Sequence, residues 1–480
     1  MDTIEIAIPA WCRQPAHWVL HWLFDEVLGL PALYRTHDSE QIEIRWRGRV
    51  LTLENDFFRR HLPVWRQEGA LLIDPPSQWV DVAATLAVPL ERPSIPVLWG
   101  APGLVATPHG AHLKLDVVGS IFFMLARYEE VIDAARDRYD RFPASAALAV
   151  QRGFLQRPLV DEYTDILWAA LRSVWPGLTR KAVAGMMRVS CDVDEPYERW
   201  IRNPWRLAQG VAGALLRKRS PGTAATRLQN AWRSRRGDYR HDPHWTFDWY
   251  MTQLEETGNR GAFYFIATPG RTRYDCAYAL EEPRMQQLLA QIAARGHEIG
   301  LHGSFNTYRD GAQLAAERQR LRAACITALA DAGSRAGAAA VATAATAMAT
   351  AAVPAATAAV RGNRQHYLRW DTAVTPDLLA QAGFDYDASG GFPYDPGFRH
   401  GTAREFPMWS WQKQGPLRLR QRPLMLMEAA VLSGPADAAL ATMVSLKRTA
   451  LRYGDFNLLW HNSRFTAPGD RALFRQILDA

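Results

Sequence analysis

The sequence predicts an α/β protein built from two unlike parts. In residues 185–480, short apolar runs alternate with helical segments, a pattern that favours a parallel α/β sheet or barrel. Residues 1–180 combine strands and helices without that alternation, which predicts a smaller α+β domain that precedes the α/β region. Residues 1–180 are called the first part below, and residues 185–480 the second part. A chain of 480 residues is long enough for two or three domains and a large buried core.

The first part contains few chemically suggestive residues. Ile4–Ile8 and Ile42–Leu53 alternate well enough to form strands, the second folded into a hairpin at Arg47-Gly48. Leu115–Val131 carries an apolar stripe that predicts one helix, and Val160–Trp175 predicts another. No dense group of candidate catalytic side chains accompanies these elements, so the function is expected to reside in the second part.

In the second part, predicted strands alternate with predicted helices. Strands are expected at Met186–Cys191, Gly261–Ala267, His297–Leu301, Phe384–Ala388, Leu424–Val431 and Phe456–Trp460. Helices are expected at Trp245–Thr257, Pro283–Arg295, Ala312–Ala330 and Pro376–Ala382. One segment, 336–360, contains no charged residue and consists mostly of Ala and Thr, with a helix-breaking proline at Pro354. This composition predicts a low-complexity surface insertion.

The composition is that of a folded globular protein. Hydrophobic residues make up 48% and charged residues 22%, which excludes a wholly disordered or collagen-like chain. No stretch reaches the ~18 apolar residues of a membrane-spanning helix. The first residues show no basic region followed by an apolar one, and the four cysteines show no paired spacing. We therefore expect a cytoplasmic protein without a disulfide framework.

The positive charge is concentrated in one segment. The net charge is +7, yet residues 199–240 contain eleven Lys or Arg and a single acid, so this segment carries +10 and the rest −3. Trp200, Trp205, Trp232 and the apolar run Val211–Leu216 lie among the basic residues. The segment, part of a helical excursion over 199–243, is interpreted as an interfacial membrane helix, a dock for a phosphorylated ligand or a solvated surface. Nucleic-acid binding is not expected, since no recognised motif accompanies it.

Polar residues recur where the apolar runs of the second part end. Because the carboxyl ends of parallel strands share one mouth, we expect these side chains to converge. Burying unpaired charges costs several kcal/mol, so such residues require each other or a metal ion. The residues concerned are Asp192, Asp194, His297, His302, Arg364, His366, Glu428 and His461.

In their order along the chain, these motifs make residues 186–461 resemble the polysaccharide deacetylases of carbohydrate esterase family 4, which includes chitin and peptidoglycan deacetylases. The matching segments are Asp192-Val193-Asp194, Gly296–His302, Arg364–Tyr367 and Leu459-Trp460-His461. The stretch Phe122–Glu130 resembles an uncharacterised domain that precedes the deacetylase domain in a bacterial subgroup. The resemblance implies a distorted parallel (β/α) barrel over 185–480.

The resemblance also implies a role for each motif residue. Asp194 and His302, with Asn306, would hold a divalent metal, Zn²⁺ first and Co²⁺, Mn²⁺ or Ni²⁺ as alternatives. Asp192 would act as general base, and Arg364, or Arg369 in another register, would hold it ionised. The final motif implies that His461 is the general acid. Glu428 is expected to orient it, and His297 is expected to be structural. His366 is expected to be either a substrate contact or a core histidine.

Two departures from the family pattern keep the functional alternatives open. Val193 separates two aspartates that are usually adjacent, and Asn306 stands where a second histidine is usual. The first hypothesis is a hydrolase that removes an acetyl group from an N-acetylated sugar, on a nucleotide- or lipid-linked precursor of a bacterial surface polysaccharide. The others are an amidase acting on a non-sugar C–N bond and a degenerate glycan-binding or scaffold protein. Peripheral contact with the inner face of an anionic membrane would proceed through 199–240.

Overall fold

The computed structural model describes residues 3–65, 78–81, 94–198, 204–217, 219–268, 270, 272–340, 360–432, 434–467 and 469–480. Its helices are α1 Arg13–His21, α2 Asp56–His61, α3 Val117–Leu125, α4 Tyr128–Ile132, α5 Leu148–Gln151, α6 Leu159–Val174, α7 Pro204–Leu216, α8 Pro221–Arg235, α9 Phe247–Glu256, α10 Pro283–Ala294, α11 Gly311–Ala340, α12 Thr375–Gln381, α13 Ala436–Tyr453 and α14 Asp470–Asp479. Most of the predicted insertion, 341–359, lies outside the described residues.

Two main sheets organise these helices. The strands of the first part are β1 Ile4–Pro9, β2 Ala32–His37, β3 Ile42–Trp46, β4 Arg49–Leu53, β5 Gln78–Asp81, β6 Ser94–Val97, β7 Gly100–Thr107 and β8 Gly110–Leu115. Those of the second are β9 Met187–Val193, β10 Ala262–Phe265, β11 Glu298–Gly303, β12 Gly362–Gln365, β13 Tyr386–Asp387, β14 Phe406–Ser410, β15 Gly415–Gln421, β16 Leu426–Met427 and β17 Phe456–Leu459. The mixed α/β class is therefore confirmed.

The first part is built around a six-stranded mixed sheet in the order β2-β1-β3-β4-β8-β7. The predicted hairpin is confirmed: β3 pairs antiparallel with β4. Arg47 and Gly48 both have positive φ, 49° and 71°, as the two-residue turns of hairpins require. The helix predicted at 160–175 is likewise observed as α6.

The single helix predicted over 115–131 is wrong, because the structure breaks it into α3 and α4. Arg127, between them, adopts a left-handed conformation with φ of 51°. Its buried guanidinium donates to Glu129 and Glu130 at 2.6 and 2.8 Å. At the start of α3, Asp116 accepts hydrogen bonds from the backbone of Gly119 and Phe57, both at 2.7 Å. The apolar stripe could not reveal a break that buried ion pairs stabilise.

The second part has a nine-stranded sheet in the order β14-β15-β13-β12-β11-β10-β9-β17-β16. All neighbours pair parallel except β14 with β15. The four predicted helices are present, and each of the six predicted ranges contains a strand, although only two residues are strand in 384–388 (β13) and in 424–431 (β16). Strands β12, β14 and β15 were not predicted. A closed barrel is not confirmed: within the described residues, no pairing joins the edge strands β14 and β16.

The two parts pack closely against each other. Phe406, Trp409 and Trp411 of the second part belong to the apolar core of the first. The Trp411 indole donates to the carbonyl of Ala126 at 2.9 Å. Arg399 donates to the buried carboxylate of Glu130 at 2.8 Å. Residues from the first part therefore lie close enough to border a site in the second.

The basic excursion forms two helices, α7 and α8, that pack on each other. Small buried residues, Gly210 and Ala214 on α7 with Ala224 and Ala231 on α8, allow the two helices to approach. Ser220 caps α8 by accepting from the backbone of Thr223 at 3.3 Å. Among the described residues, no helix combines the length and apolar character needed to cross a bilayer.

Candidate metal centre

Neighbouring parallel strands deliver the polar residues to one end of the second sheet. Strand β9 carries Asp192 and ends just before Asp194, while His302 lies near the end of β11. Strand β12 pairs with β11 so that Arg364 is opposite His302. His366 follows β12 directly. The convergence expected of strand ends in a parallel sheet is thus observed.

Three of these side chains form a cluster suited to a metal ion. His302 Nε2 lies 3.2 Å from Asp194 Oδ1, and His366 Nε2 lies 3.6 Å from the same oxygen. The three candidate ligand atoms all lie within 4.8 Å of one another, and both histidines are buried. Two imidazole nitrogens with one carboxylate are a common ligand set for catalytic zinc.

The surroundings aim the ligand atoms inward. His302 Nδ1 lies 2.8 Å from the carbonyl oxygen of Arg364, so this nitrogen carries the proton and Nε2 is left to coordinate. His366 Nδ1 lies 3.6 Å from the carboxylate of Asp275. The hydrogen bond from His302 Nδ1 is of the kind that typically supports a metal-binding histidine, whereas His366 Nδ1 has no hydrogen-bond partner among the described residues.

The electrostatics of the cluster also fit a cation. Burial opposes ionisation of Asp194, but His366 and His302 together hold the pKa of its carboxyl well below the usual range. Asp194 Oδ1 is buried and has no hydrogen-bond partner in the described chain, as a ligand atom reserved for a metal would. Burial lowers the pKa of His366, but Asp194 and Asp275 outweigh it and raise this pKa to about 9. A ligating histidine must be neutral, so a bound divalent cation would displace this proton and be stabilised by the same two carboxylates.

Asp192 and Arg364 lie directly beside the cluster. Asp192 is buried, with Oδ2 3.6 Å from His302 Nε2 and Oδ1 3.7 Å from Arg364 Nε. Arg364 is fixed by a hydrogen bond from Nη2 to Ser190 Oγ at 2.8 Å. Asp192 Oδ1 has no hydrogen-bond partner within the described residues, so it can accept a proton or a hydrogen bond from a bound molecule.

His461 and Glu428 face the cluster from the ends of β17 and β16. Glu428 is fully buried and lies 2.9 Å from His461 Nδ1, while His461 Nε2 lies 3.6 Å from Asp194 Oδ2. Burial lowers the pKa of His461, but Glu428 and Asp194 outweigh it and raise this pKa to about 9. The imidazole is thus held as a proton donor with Nε2 turned toward the cluster.

The structure does not bring Asn306 to the cluster, which corrects the expected ligand set. The Asn306 side chain is exposed, and its Oδ1 accepts from Arg369 Nη1 at 3.2 Å. Arg369 is engaged there and with the carbonyl of Tyr139, so Arg364 is the arginine beside Asp192. His366, rather than Asn306, lies in the cluster with Asp194 and His302.

His297, predicted to be structural, lies away from the cluster. Its Nε2 is 3.0 Å from Glu255 Oε1, and its Nδ1 accepts from the backbone of Gly261 at 2.9 Å. His366 was left between a substrate contact and a core residue. His366 follows β12, the strand that pairs with β11, and this position would have predicted its place in the cluster. The sequence does not reveal β12 as a strand, so the signal could not be used.

Two adjoining cavities open at the cluster. The smaller, of about 280 Å³, is bordered by Asp192, Asp194, His302, His366 and His461, and also by Tyr139 and Arg141 of the first part. The larger, of about 680 Å³, shares Asp194, His366, Tyr367, His461 and Arg464 with it. A substrate bound in this cleft could extend to both sides of the cluster.

Comparison with known proteins gives a family match for the first part of the chain. Residues 4–176 match the model of a family of unknown function (DUF7033). No curated protein matches the chain. Among solved structures, the chain is similar to one described as a "putative polysaccharide deacetylase" from Mycobacterium smegmatis, with 18% identity over 62% of this chain and 85% of the other. The TM-score of that match is 0.34.

Proposed function

We propose that the protein is a metal-dependent hydrolase that removes the acetyl group from an N-acetylated sugar during bacterial surface polysaccharide assembly. One observation carries the proposal: Asp194, His302 and His366 present three ligand atoms within 4.8 Å of one another. Asp192 and His461 both lie beside this cluster: Asp192 Oδ2 is 3.6 Å from His302 Nε2, and His461 Nε2 is 3.6 Å from Asp194 Oδ2. An acid and a base beside a metal site are what hydrolysis of a linear amide C–N bond requires.

The ligand set would be Asp194, His302 and His366, which suits Zn²⁺, with Co²⁺, Mn²⁺ or Ni²⁺ as substitutes. A bound divalent cation supplies Lewis-acid activation of water and of the amide carbonyl. Asp192 would take the proton of the attacking water through its carboxylate, whose Oδ2 lies 3.6 Å from His302 Nε2 and whose Oδ1 has no hydrogen-bond partner among the described residues. Arg364, whose Nε lies 3.7 Å from that oxygen, orients the carboxylate.

The departing amine requires a proton, which His461 would donate from Nε2. Glu428 accepts from the opposite ring nitrogen at 2.9 Å, which fixes the ring and stabilises its protonated form. The pKa of about 9 for His461 supports this acid role at neutral pH. Both proton-transfer groups border the smaller cavity, so both would face a substrate bound there.

The experiment that tests this proposal measures metal content and acetate release together. The purified protein is expected to contain or take up about one divalent cation and to release acetate from an N-acetylated amino sugar or its oligomers. Asp192→Asn should keep its metal and lose turnover, since it removes only the base. A protein that binds metal but acts on simple amides alone would be an amidase, and one that binds none would be a scaffold. His366 as third ligand supports the enzyme over the scaffold.

We also propose that α7 and α8 contact an anionic membrane surface, from which a lipid-linked precursor would reach the cleft. Trp205 and Leu216 on α7 are 71% and 80% exposed, and Leu228 and Trp232 on α8 are about half exposed. They lie in the segment that carries +10 by sequence, and exposed apolar and basic side chains together favour an anionic interface. Arg206 on α7 borders the larger cavity, so that cavity would open beside the lipid.

Flotation with vesicles tests the membrane contact. The protein should float with vesicles containing phosphatidylglycerol at low salt and less at high salt, because salt screens the basic surface. Replacing both Leu215 and Leu216 with Glu should abolish flotation, whereas Leu33→Glu, at a leucine that is 55% exposed on β2, should not. Failure of the unaltered protein to float at low salt would remove the proposal.

A further inference from the structure

The third ligand is carried by an unusually strained turn. Directly after His366, Tyr367 and Leu368 have φ angles of 61° and 54°, so two consecutive residues with side chains lie in the left-handed region. Each such residue costs of order 1–3 kcal/mol and persists only when its surroundings enforce it. The position of His366 therefore depends on whatever holds this turn.

What holds the turn comes from the first part of the chain. In the loop 136–143, Arg141 donates from Nη1 to the carbonyl oxygen of Tyr367 at 2.9 Å. Arg369, after the turn, donates in return to the carbonyl of Tyr139 at 2.8 Å. The rings of Tyr139 and Tyr367 also pack with centroids 4.9 Å apart. The strained turn is thus fixed from both of its ends and across its side chain.

The loop itself is rigid enough to impose this geometry. Asp137 accepts from Arg141 Nε at 2.8 Å and from the backbone of Tyr139 and Arg141 at 2.8 and 3.0 Å. Asp140 accepts from Tyr308 and from Arg309 of the second part. The Arg141 guanidinium is therefore oriented before it meets Tyr367, as a positioning residue should be.

We infer that the loop 136–143 is part of the metal centre, with Arg141 as the positioning residue that holds His366 in place through Tyr367. This inference depends on the metal site of the proposed function. It gives residues 4–176 a role in the site: they fix the turn that carries the third ligand. They also border the smaller cavity with Tyr139 and Arg141. The sequence alone showed no such link between the parts.

Metal affinity measured with Co²⁺ and Zn²⁺, by calorimetry or chelator competition on the full chain, tests this inference. Removing the support of a metal-binding histidine typically weakens affinity 10–100-fold, so Arg141→Gln should do the same. Arg141→Lys, which keeps a donor, should recover part of the loss. Arg172→Gln removes the same charge at an exposed position on α6, outside this loop, and should leave affinity unchanged.

A specific effect on the ligand should also alter the visible absorption of bound Co²⁺, while the melting temperature of the metal-free protein stays near that of the unaltered chain. If Arg141→Gln does not fold, Asp137→Asn, which loosens Arg141 without removing it, should show the same loss. Unchanged affinity and Co²⁺ spectrum in folded Arg141 or Asp137 variants would overturn the inference. An unaltered protein that binds neither metal would instead overturn the proposed function, and this inference with it.

Discussion

This protein contains two buried clusters of charged side chains, which differ in how many of their polar atoms have hydrogen-bond partners. Where the two parts of the chain meet, Glu130 accepts from Arg127, Arg399 and Thr372 at 2.8, 2.8 and 2.6 Å. At the metal centre, by contrast, several buried polar atoms have no hydrogen-bond partner among the described residues, including Asp192 Oδ1, Asp194 Oδ1 and Arg364 Nε. Both clusters are buried, but only the second leaves atoms that point at one another across a gap.

The comparison separates a structural from a functional use of buried charge. Burial opposes ionisation of Glu130, yet Arg399 and Arg127 hold its pKa well below the usual range, so the cluster is complete without a ligand. An unpaired buried polar group costs about 1–3 kcal/mol, which a stable protein tolerates where a bound molecule removes the cost. Single unsatisfied atoms occur elsewhere in the described chain, but at the second cluster several of them belong to facing carboxylate and guanidinium groups, and this convergence indicates a site.

The largest effect is expected from Asp194→Asn, which removes the charge of the carboxylate that we propose as a metal ligand. Acetate release should fall at least ~1000-fold, equivalent to about 4 kcal/mol of transition-state stabilisation. Added Zn²⁺ should raise the melting temperature of the unaltered protein and leave that of the variant unchanged, because binding stabilises only a protein that binds. A variant that retained metal-dependent stabilisation would show that Asp194 is not a ligand.

A smaller effect, on stability rather than on metal binding, is expected from Glu130→Gln in the cluster where the two parts meet. Losing the charge that pairs with Arg127 and Arg399 should lower the free energy of unfolding by about 3 kcal/mol. Urea unfolding measures this change. Zn²⁺ affinity, measured below the unfolding transition, should stay within about twofold, since no ligand atom is altered. The hydrogen bonds of Glu130 indicate that its cluster holds the two parts together. An unchanged free energy of unfolding in Glu130→Gln would contradict this.

His61 sharpens the comparison, because it is unsatisfied without being part of any cluster of ligands. Its two ring nitrogens are buried without hydrogen-bond partners in the described chain, and the ring stacks on Phe57 at 4.6 Å. Burial lowers the pKa of His61 to about 4. Between pH 6.5 and 4 the unfolded chain therefore binds the proton more tightly, and stability is lost as the pH falls.

The unfolding free energy should thus drop by about 2 kcal/mol from this residue between pH 7 and pH 5. His61→Phe should flatten the profile by that amount, whereas His109→Gln, at an exposed histidine, should not. Equal slopes for the unaltered protein and His61→Phe would mean that His61 is hydrated or paired. The measurement is a series of urea titrations at several pH values.

Local patterns in the sequence predicted most of the helices and strands. The wrong and missed predictions have physical reasons. The hairpin at Arg47-Gly48 and the apolar runs of the parallel strands were predictable, because turn conformation and strand burial are encoded in neighbouring residues. The break of the helix at Arg127 was not, because it depends on ion pairs that include Arg399, far along the chain. Strand β12 was also missed: Gly362–Gln365 is polar, although all four residues are buried.

By itself, the sequence determined which side chains end the parallel strands, and so which residues could meet: Asp192, Asp194, His302 and His461 are all in the cleft. The tertiary structure alone decided that His366 completes the candidate ligand set in place of Asn306, and that a loop of the first part borders the same cavity. The physical reason is range. Strand periodicity acts between neighbours, whereas a ligand set depends on the register of distant strands and on a strained turn that residues more than two hundred positions away hold in place.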